Sequence, residues 1–205
     1  MAGSTFDNFC YPPHPGKIPA MIVYLHGFNS SPASGKARQL GEHMAAIGRA
    51  ADYYCPALPN SPREAIAQVE AELAQRRPDS VTLIGSSLGG FYATHLAEKH
   101  GCKAVLVNPA VHAHTLMRGA LGPQTNWHSG EKWELTAAHL AELAALDVAA
   151  ITRPERYLLL AQTGDEVIDY RDAVAYYAGA AQIIEDGGNH GFAGFERHFQ
   201  TILDF

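Results

Sequence analysis

The chain runs from a short apolar segment, Val81-Thr82-Leu83-Ile84, directly into Gly85-Ser86-Ser87-Leu88-Gly89-Gly90. An apolar run of this length is typical of a strand that is buried on both faces of a sheet. The next six residues contain Gly-x-Ser-x-Gly, the pattern of a nucleophile elbow, a sharp turn that presents a serine hydroxyl above the sheet. Ser87 stands at its centre, between glycines that leave room for the neighbouring strand and helix. So short a pattern also arises by chance, so it needs support from the rest of the chain.

An acid and a histidine follow Ser87 in the order that such a turn requires. Asp165 comes just after the strand-like run 156–162, and His190 follows the run 181–184 in a loop marked by glycines. The chain order serine, acid, histidine is that of the α/β-hydrolase triad and differs from the orders in chymotrypsin-like and subtilisin-like enzymes. We therefore predict Ser87 as the nucleophile, His190 as the general base and Asp165 as the acid that orients the imidazole.

These assignments have competitors in the sequence. Ser86 neighbours Ser87, but only Ser87 stands centrally in the glycine pattern. Three other acids compete with Asp165, namely Glu166, Asp169 and Asp186. The position directly after Thr163-Gly164 favours Asp165, whereas Asp169 is better suited to cap a helix.

The loop after the first predicted strand supplies a further part of the expected site. Met21-Ile22-Val23-Tyr24-Leu25 runs into His26-Gly27-Phe28-Asn29-Ser30, where α/β-hydrolases place one donor of the oxyanion hole. We predict that the backbone N–H groups of Phe28 and Leu88 bind the tetrahedral oxyanion. Leu88 also opens the helix after the elbow, so its N–H has no acceptor within that helix. His26 is expected to shape this loop rather than to carry protons.

Short apolar segments alternate with amphipathic helical patterns along the chain. This alternation predicts an α/β fold of the small α/β-hydrolase type, with a mostly parallel six-stranded sheet and helices on both faces. Helices are predicted to start at Ser31-Pro32, at Ser61-Pro62, at Leu88 and after Asp169. A final helix is predicted from the spacing of Phe192, Phe195, Phe199 and Ile202. An irregular, proline-rich arm over residues 1–19 is expected to precede a single domain over residues 20–205.

The segment from Asn108 to about Leu146 is too long for a simple connection between a strand and a helix. Hydrolases insert caps at this point of the chain, so residues 108–146 are predicted to form a small cap or pocket wall. Only its second half, with Leu140 and Leu143, has a helical pattern.

Substrate contacts are predicted at Asn29, Asn108 and Trp127. Asn108 follows a strand at the edge where open α/β sheets bind ligands, so it either lines the pocket or fixes its loop. Trp127 lies within the predicted cap, and Asn29 belongs to the predicted oxyanion loop.

Composition limits the classes of partner. The 205 residues are 47% hydrophobic and carry a net charge of −6, which provides no general attraction to nucleic acid or to an anionic membrane. No apolar stretch approaches the length of a membrane helix and no signal-peptide pattern is present, so a cytoplasmic location is expected. Three cysteines are too few for a disulfide framework. His112-x-His114 has no evident third ligand, so neither a metal nor another cofactor is expected.

Taken together, these segments resemble the YqiA-like esterases of bacteria. The resemblance covers about residues 21–205 and is carried by five blocks: Tyr24-Leu25-His26-Gly27-Phe28-Asn29-Ser30-Ser31-Pro32, Gly85-Ser86-Ser87-Leu88-Gly89-Gly90, Asn108-Pro109-Ala110-Val111, Gln162-Thr163-Gly164-Asp165-Glu166-Val167 and Gly187-Gly188-Asn189-His190. It implies a small α/β-hydrolase that cleaves acyl esters, including short-chain p-nitrophenyl esters and acyl-CoA thioesters, with Ser87, Asp165 and His190 as its triad. We therefore predict a serine carboxylesterase or thioesterase that acts on a small-molecule ester through an acyl-Ser87 intermediate.

The chain departs from the family pattern at two places. The arm through Pro19 is an addition, and His112-Ala113-His114 stands where a more basic, proline-containing continuation is expected. The second departure falls in the predicted cap, so it bears on substrate preference. Two other functions stay open: a catalytically silent hydrolase-fold binding protein, and a hydrolase-fold enzyme that acts on C–C bonds or peracids.

Overall fold

The computed structural model describes residues 21–205, so the predicted arm over residues 1–19 lies outside the described residues. Within that range the strands are β1 (Met21–Leu25), β2 (Tyr53–Tyr54), β3 (Val81–Ser86), β4 (Lys103–Val107), β5 (Gly122–Thr125), β6 (Lys132–Leu135), β7 (Tyr157–Gln162) and β8 (Ala181–Glu185). The α-helices of the same range are α1 (Gly35–Ala46), α2 (Pro62–Leu73), α3 (Leu88–His100), α4 (Ala113–Leu116), α5 (Ala137–Ala145), α6 (Tyr170–Tyr176) and α7 (Phe199–Asp204).

Six of these strands form one sheet in the order β2-β1-β3-β4-β7-β8, and every neighbouring pair in it is parallel. The predicted six-stranded, mostly parallel sheet is therefore confirmed. β3 lies in the interior of the sheet between β1 and β4. The carboxyl ends of the strands meet at one edge, which is the edge where open α/β sheets bind ligands. The segments that follow β1, β3, β4, β7 and β8 consequently converge there.

The sheet is covered on both faces by apolar layers. In β1, Ile22 and Tyr24 face a layer that includes residues of α1 and α7. Val23 and Leu25 face the other layer, which includes residues of α2, α3, α5 and α6. Successive side chains of a strand point to opposite faces, so a strand covered on both sides must be apolar throughout. This explains why the strands of this sheet form continuous apolar runs in the sequence.

Two of the predicted helix caps are present. The Ser61 hydroxyl accepts the backbone N–H of Glu64 at 3.3 Å at the start of α2. The Asp169 carboxylate accepts the backbone N–H of Arg171 at 3.0 Å at the start of α6. Both contacts satisfy an N–H group that has no partner within its helix.

The predicted start of the first helix at Ser31-Pro32 is wrong, because α1 begins at Gly35. The Ser31 hydroxyl accepts the backbone N–H of Ala33 at 3.1 Å, and the Ser31 carbonyl accepts that of Ser34 at 3.0 Å. The serine side chain therefore closes a local turn, a known alternative to capping a helix.

The last segment is not a single helix either. Phe195–His198 forms one 3₁₀ turn and α7 follows it, while Phe192 lies upstream at a φ of 59°. Gly194, at a φ of 78°, lies directly before the 3₁₀ turn and separates it from Phe192. The layer that includes residues of α1 nevertheless buries all four predicted residues, namely Phe192, Phe195, Phe199 and Ile202. The spacing thus identified the buried residues correctly but not the backbone that carries them.

The predicted insertion contains both helical and extended structure. Its second half forms α5, which buries Leu143, and this agrees with the predicted helical pattern. The part before α5 holds the short helix α4, a 3₁₀ turn over Met117–Ala120 and the antiparallel hairpin of β5 and β6, none of which was predicted. None of the helices between residues 21 and 205 is long and apolar enough to cross a membrane.

Leu40→Ala should lower the free energy of unfolding by about 2–5 kcal/mol, because this side chain of α1 is fully buried against the sheet and its loss leaves a cavity. Ile47→Ala, directly after α1, is the matched control: Ile47 is 45% exposed, so its truncation should cost less than about 0.5 kcal/mol. Urea unfolding followed by circular dichroism measures both values. Equal losses in the two variants would contradict the assigned burial.

Candidate active site

Ser87 is the single residue between β3 and α3, and its backbone is strained. Its φ of 55° and ψ of −121° belong neither to a strand nor to a helix, and few residues with a side chain adopt them. The surrounding backbone holds this conformation. The Ser87 N–H donates to the Val107 carbonyl at 3.1 Å, and the Ser87 carbonyl accepts from Gly90 at 2.9 Å and from Ala110 at 3.0 Å.

The two outer glycines of the motif are required by the close approach of β3, α3 and β1. A Cβ on Gly85 would lie 2.2 Å from the Gly89 carbonyl oxygen. A Cβ on Gly89 would lie 2.0 Å from the Leu25 carbonyl oxygen. Both distances are far below any real contact, so side chains at these positions would push the elbow apart.

Ser87, His190 and Asp165 are brought together in one hydrogen-bonded line at the carboxyl edge of the sheet. The Ser87 Oγ lies 3.1 Å from the His190 Nε2. On the other side of the ring, the His190 Nδ1 lies 2.8 Å from the Asp165 Oδ2 and 3.0 Å from its Oδ1. With the Nδ1 proton donated to the carboxylate, the Nε2 lone pair faces the serine hydroxyl.

The surroundings of Asp165 keep its carboxylate charged. Burial of this side chain, which is 2% exposed, raises the pKa of the carboxyl. The hydrogen bonds from His190 and from the backbone N–H groups of Ile168 and Val167 lower the pKa by more than burial raises it, so it stays below its ordinary value. A charged acceptor for the imidazole N–H is therefore present at neutral pH.

The competing acids have other partners. Glu166 Oε2 accepts the backbone N–H of His190 at 2.9 Å, Asp169 caps α6, and Asp186 Oδ1 accepts the Thr163 hydroxyl at 2.9 Å. Of the four acids considered, it is Asp165 whose carboxylate meets the imidazole ring.

The loop that carries His190 is irregular and is held by side chains. Gln162 Oε1 accepts the backbone N–H groups of Asn189 at 3.1 Å and Ala193 at 2.8 Å. Asn108 Nδ2 donates to the carbonyls of Asn189 at 3.0 Å and His190 at 3.2 Å. Gln162 is a polar residue at the end of the buried strand β7. A polar residue at such a position signals a structural role, which was not predicted from the sequence.

Asn108 does not contact the cleft as predicted for a substrate-binding residue. It is 3% exposed, and its Oδ1 accepts the Gln162 backbone N–H at 3.0 Å while its Nδ2 holds the histidine loop. All of its side-chain polar atoms are therefore engaged within the protein. Of the two roles considered for Asn108, the structure supports the fixing of the loop.

Lys36 is a further residue of this region that the sequence did not indicate. Its Nζ donates to the Gly191 carbonyl at 2.8 Å, next to His190 in the chain. Burial lowers the pKa of Lys36 to about 8, against the attraction of Asp165, which raises it. Lys36 lies on the first turn of α1, where lysine carries no recognisable signal.

The predicted oxyanion loop packs directly against the elbow. A Cβ on Gly27 would lie 3.2 Å from the Ser87 Cβ, so the two backbones are nearly in contact. His26 is buried, its Nε2 accepts the Leu58 N–H at 3.1 Å and its Nδ1 lies 3.0 Å from the Gly27 carbonyl. Burial lowers the pKa of His26, so its ring is neutral and shapes the loop, as expected.

Phe28 and Leu88 border a narrow cleft with a volume of about 30 Å³. Apolar walls come from Leu58, Tyr92 and Trp133. Trp127, which was predicted to contact substrate, is not among the residues that line this cleft and is 76% exposed. Trp133, the other tryptophan of the hairpin, borders the cleft in its place.

Asn29 borders the cleft, but its side chain is not free to bind a substrate. Its Nδ2 donates to Gln124 Oε1 at 2.9 Å, and its Oδ1 accepts from Trp133 Nε1 at 2.8 Å. Both polar atoms of the Asn29 side chain, which was predicted to bind substrate, are therefore engaged by the hairpin.

The two histidines of the His112-x-His114 pattern gather at Asp147. His112 Nδ1 lies 2.9 Å from Asp147 Oδ2, and His114 Nδ1 lies 3.7 Å from Asp147 Oδ1. Between residues 21 and 205, no group of three or more His, Cys, Asp or Glu side chains is arranged to hold a metal ion.

A family model described as the uncharacterised protein family UPF0227 matches residues 21–205. The chain belongs to this family. UPF0227 is the family of the YqiA-like esterases, so the resemblance predicted from the sequence is confirmed over the same residues.

Three solved structures of low sequence identity are similar to this chain in fold. Mouse α/β-hydrolase domain-containing protein 10 is 18% identical, with a TM-score of 0.70 and a match covering 92% of this chain and 90% of that one. Est1E from Butyrivibrio proteoclasticus, with ferulic acid bound, is 15% identical, with a TM-score of 0.64 over 94% and 89% of the two chains. The esterase domain of a Rhodothermus marinus protein is 17% identical, with a TM-score of 0.60 over 93% and 86%. The predicted α/β-hydrolase fold is confirmed.

Lys36→Met should alter the dependence of stability on pH. The pKa of Lys36 is about 8 in the folded protein and 10.5 ordinarily, so between these values the unfolded chain binds a proton that the folded protein has released. The wild type therefore gains stability as pH rises through this window, with no such gain below it, and the methionine variant lacks the gain. Urea unfolding between about pH 7 and 10 measures the difference, with Lys36→Arg as the variant that stays charged. Parallel curves for wild type and Lys36→Met would refute the shift.

Proposed function

We propose that this chain is a serine hydrolase that cleaves carboxylic esters, acyl-CoA thioesters or both through an acyl-Ser87 intermediate. The observation that carries the proposal is the line from Asp165 through His190 to Ser87, with distances of 2.8 and 3.1 Å, at a strained elbow. Membership of an esterase family supports it. We also propose that the protein acts in the cytoplasm on a small-molecule ester, without a metal or another cofactor.

The first half-reaction transfers the acyl group to the enzyme. The Ser87 oxygen attacks the acyl carbon while His190 Nε2 takes the hydroxyl proton. His190 then donates this proton to the departing alkoxide or thiolate as the bond to the leaving group breaks. Asp165, held charged by its hydrogen bonds, stabilises the imidazolium between these two transfers.

The negative charge that develops on the acyl oxygen lies between the backbone N–H groups of Phe28 and Leu88. Leu88 is the first residue of α3, so its N–H is unpaired within the helix and lies at the positive end of the helix dipole. Each donor of this kind contributes about 3–4 kcal/mol to the lowering of the barrier. In the second half-reaction, His190 activates a water that hydrolyses the acyl-Ser87 ester.

The narrow cleft beside Phe28 and Leu88 supports a short acyl group as substrate. A volume of about 30 Å³ accommodates roughly two or three water-sized groups. The walls of the cleft combine the apolar side chains of Leu58 and Trp133 with the polar ones of Asn60 and Asn126, and none of the lining residues is an acid, a lysine or an arginine.

Labelling with a fluorophosphonate probe tests the nucleophile. We expect wild type to be labelled and Ser87→Ala to lose the label, because the probe bonds to an activated serine oxygen. Ser86→Ala is the matched control: this neighbour is buried and should leave labelling intact. Labelling that persists in Ser87→Ala would show that Ser87 is not the nucleophile. A folded wild type that is never labelled would favour the silent binding protein.

Asp165→Asn and His190→Ala should each lower kcat for a p-nitrophenyl ester by about 10³–10⁶-fold. Glu166→Gln is the control for Asp165→Asn, since its amide oxygen can still accept the His190 backbone N–H. A near-normal kcat in Asp165→Asn, with a loss in Glu166→Gln, would transfer the role of the acid to Glu166.

The value of kcat/KM across p-nitrophenyl esters and acyl-CoA thioesters tests the substrate. It should be highest for acyl groups of about two to four carbons and fall for longer chains, because each further methylene meets the wall of the cleft. Steady-state kinetics with wild type measures the series. A maximum at long chains would contradict the narrow pocket, and no turnover of any ester by a probe-reactive protein would favour C–C or peracid chemistry.

A further inference from the structure

The hairpin of β5 and β6 is attached to the oxyanion loop through Asn29. Gln124 on β5 and Trp133 on β6 are directly paired across the hairpin, so their side chains leave it on the same face. Both reach the Asn29 side chain, at 2.9 Å from Gln124 and 2.8 Å from Trp133. The Asn29 carbonyl in turn accepts the backbone N–H of Trp127 at 3.0 Å.

Neighbouring contacts reinforce the attachment. Asn126 Nδ2 donates to the Ser30 carbonyl at 2.8 Å. The Trp133 ring meets the Phe28 ring edge-on, with centroids 5.5 Å apart. The three consecutive residues 28, 29 and 30 are therefore all held by one hairpin, whose residues lie about a hundred positions further along the chain.

This attachment bears directly on the geometry of the proposed oxyanion hole. Asn29 follows Phe28 in the chain, is 8% exposed and has a φ of 51°, a left-handed conformation that the surroundings must stabilise. The Phe28 N–H lies in the same short loop, one residue before Asn29, and the Phe28 ring itself contacts the Trp133 ring. A donor contributes fully only within a few tenths of an ångström of its place, so small movements of the loop change the rate.

We propose that Gln124 and Trp133 are positioning residues for catalysis: through Asn29, the hairpin holds the Phe28 N–H in the orientation that binds the oxyanion. This inference rests on the proposed function. The hairpin thus acts on the rate of the reaction as well as on the shape of the cleft, and a movement of the hairpin weakens transition-state binding without touching the triad.

Two variants separate this role from simple packing. Trp133→Phe keeps an aromatic ring beside Phe28 and in the cleft wall but removes the N–H that Asn29 accepts. Asn29→Gly removes both side-chain contacts with the hairpin while tolerating the positive φ at this position. Trp127→Phe is the matched control, because the exposed side chain changes and the backbone N–H that contacts Asn29 remains.

The experiment measures kcat and KM for a short p-nitrophenyl ester and the inhibition constant of a trifluoromethyl ketone, whose adduct with Ser87 carries an oxyanion. In Trp133→Phe and Asn29→Gly we expect kcat to fall about 10–100-fold, KM to change less than about threefold, and the inhibition constant to rise in proportion to the loss of kcat/KM. Trp127→Phe should match wild type. The rate constant of fluorophosphonate labelling should fall in the same two variants.

The outcomes distinguish this inference from the function on which it rests. Values of kcat and of the inhibition constant that match wild type in folded Trp133→Phe and Asn29→Gly would overturn the positioning role. Labelling of Ser87 in the same proteins would still support the proposed hydrolase. A rise in KM alone would make Trp133 a substrate contact and would overturn the positioning role too. A wild type that neither hydrolyses esters nor takes the label would remove the proposed function and this inference together. If Trp133→Phe fails to fold, Asn29→Gly decides.

Discussion

The near-contact of β3, α3 and β1 around Ser87 is the constraint on which the rest of the site depends. The chain must turn from strand to helix within one residue, and carbonyl oxygens stand where the side chains of residues 85 and 89 would be. The resulting strain is balanced by hydrogen bonds from β4 and the segment after it. One turn thereby fixes the Ser87 Cβ and the Leu88 N–H together. In the proposed mechanism, the carbon that carries the nucleophilic hydroxyl and one oxyanion donor are then both placed by the backbone, and the χ1 torsion of Ser87 sets the hydroxyl.

The loop that carries His190 is held by side chains, whereas the elbow is held by backbone contacts. No strand or helix carries residues 189–193, and their backbone groups are satisfied by the side chains of Asn108, Gln162, Glu166 and Lys36. Burying amides such as Asn108 and Gln162 is costly unless each polar atom finds a partner, and here the loop supplies those partners. The imidazole is consequently oriented by groups from four different segments of the chain, all of them near the same sheet edge.

The parts of this architecture that could be predicted are those encoded locally. The strands of the main sheet follow from apolar runs, the elbow from its glycines, and the Asp165 and His190 loops from their places after predicted strands. Each of these signals spans only a few residues. The contacts of Asn29 with Gln124 and Trp133 join residues that are 95 and 104 positions apart, and no local pattern encodes them. That Trp133 borders the cleft could not be predicted for the same reason, because its place depends on its pairing with Gln124 across the hairpin. The late start of α1 reflects a different limit, since a serine side chain caps a turn as readily as a helix.

The irregular histidine loop has a consequence for how the molecule loses order. Native proteins open in separate cooperative units, and segments whose backbone hydrogen bonds depend on side chains from elsewhere belong to the weaker units. The parallel sheet, with its doubly covered strands, forms the stronger one. Residues 189–193 can therefore exchange their amide protons through local openings that leave the sheet intact. In such an opened state Ser87 would stay on its strained turn without the imidazole beside it, and under the proposed mechanism this folded form would be chemically inert.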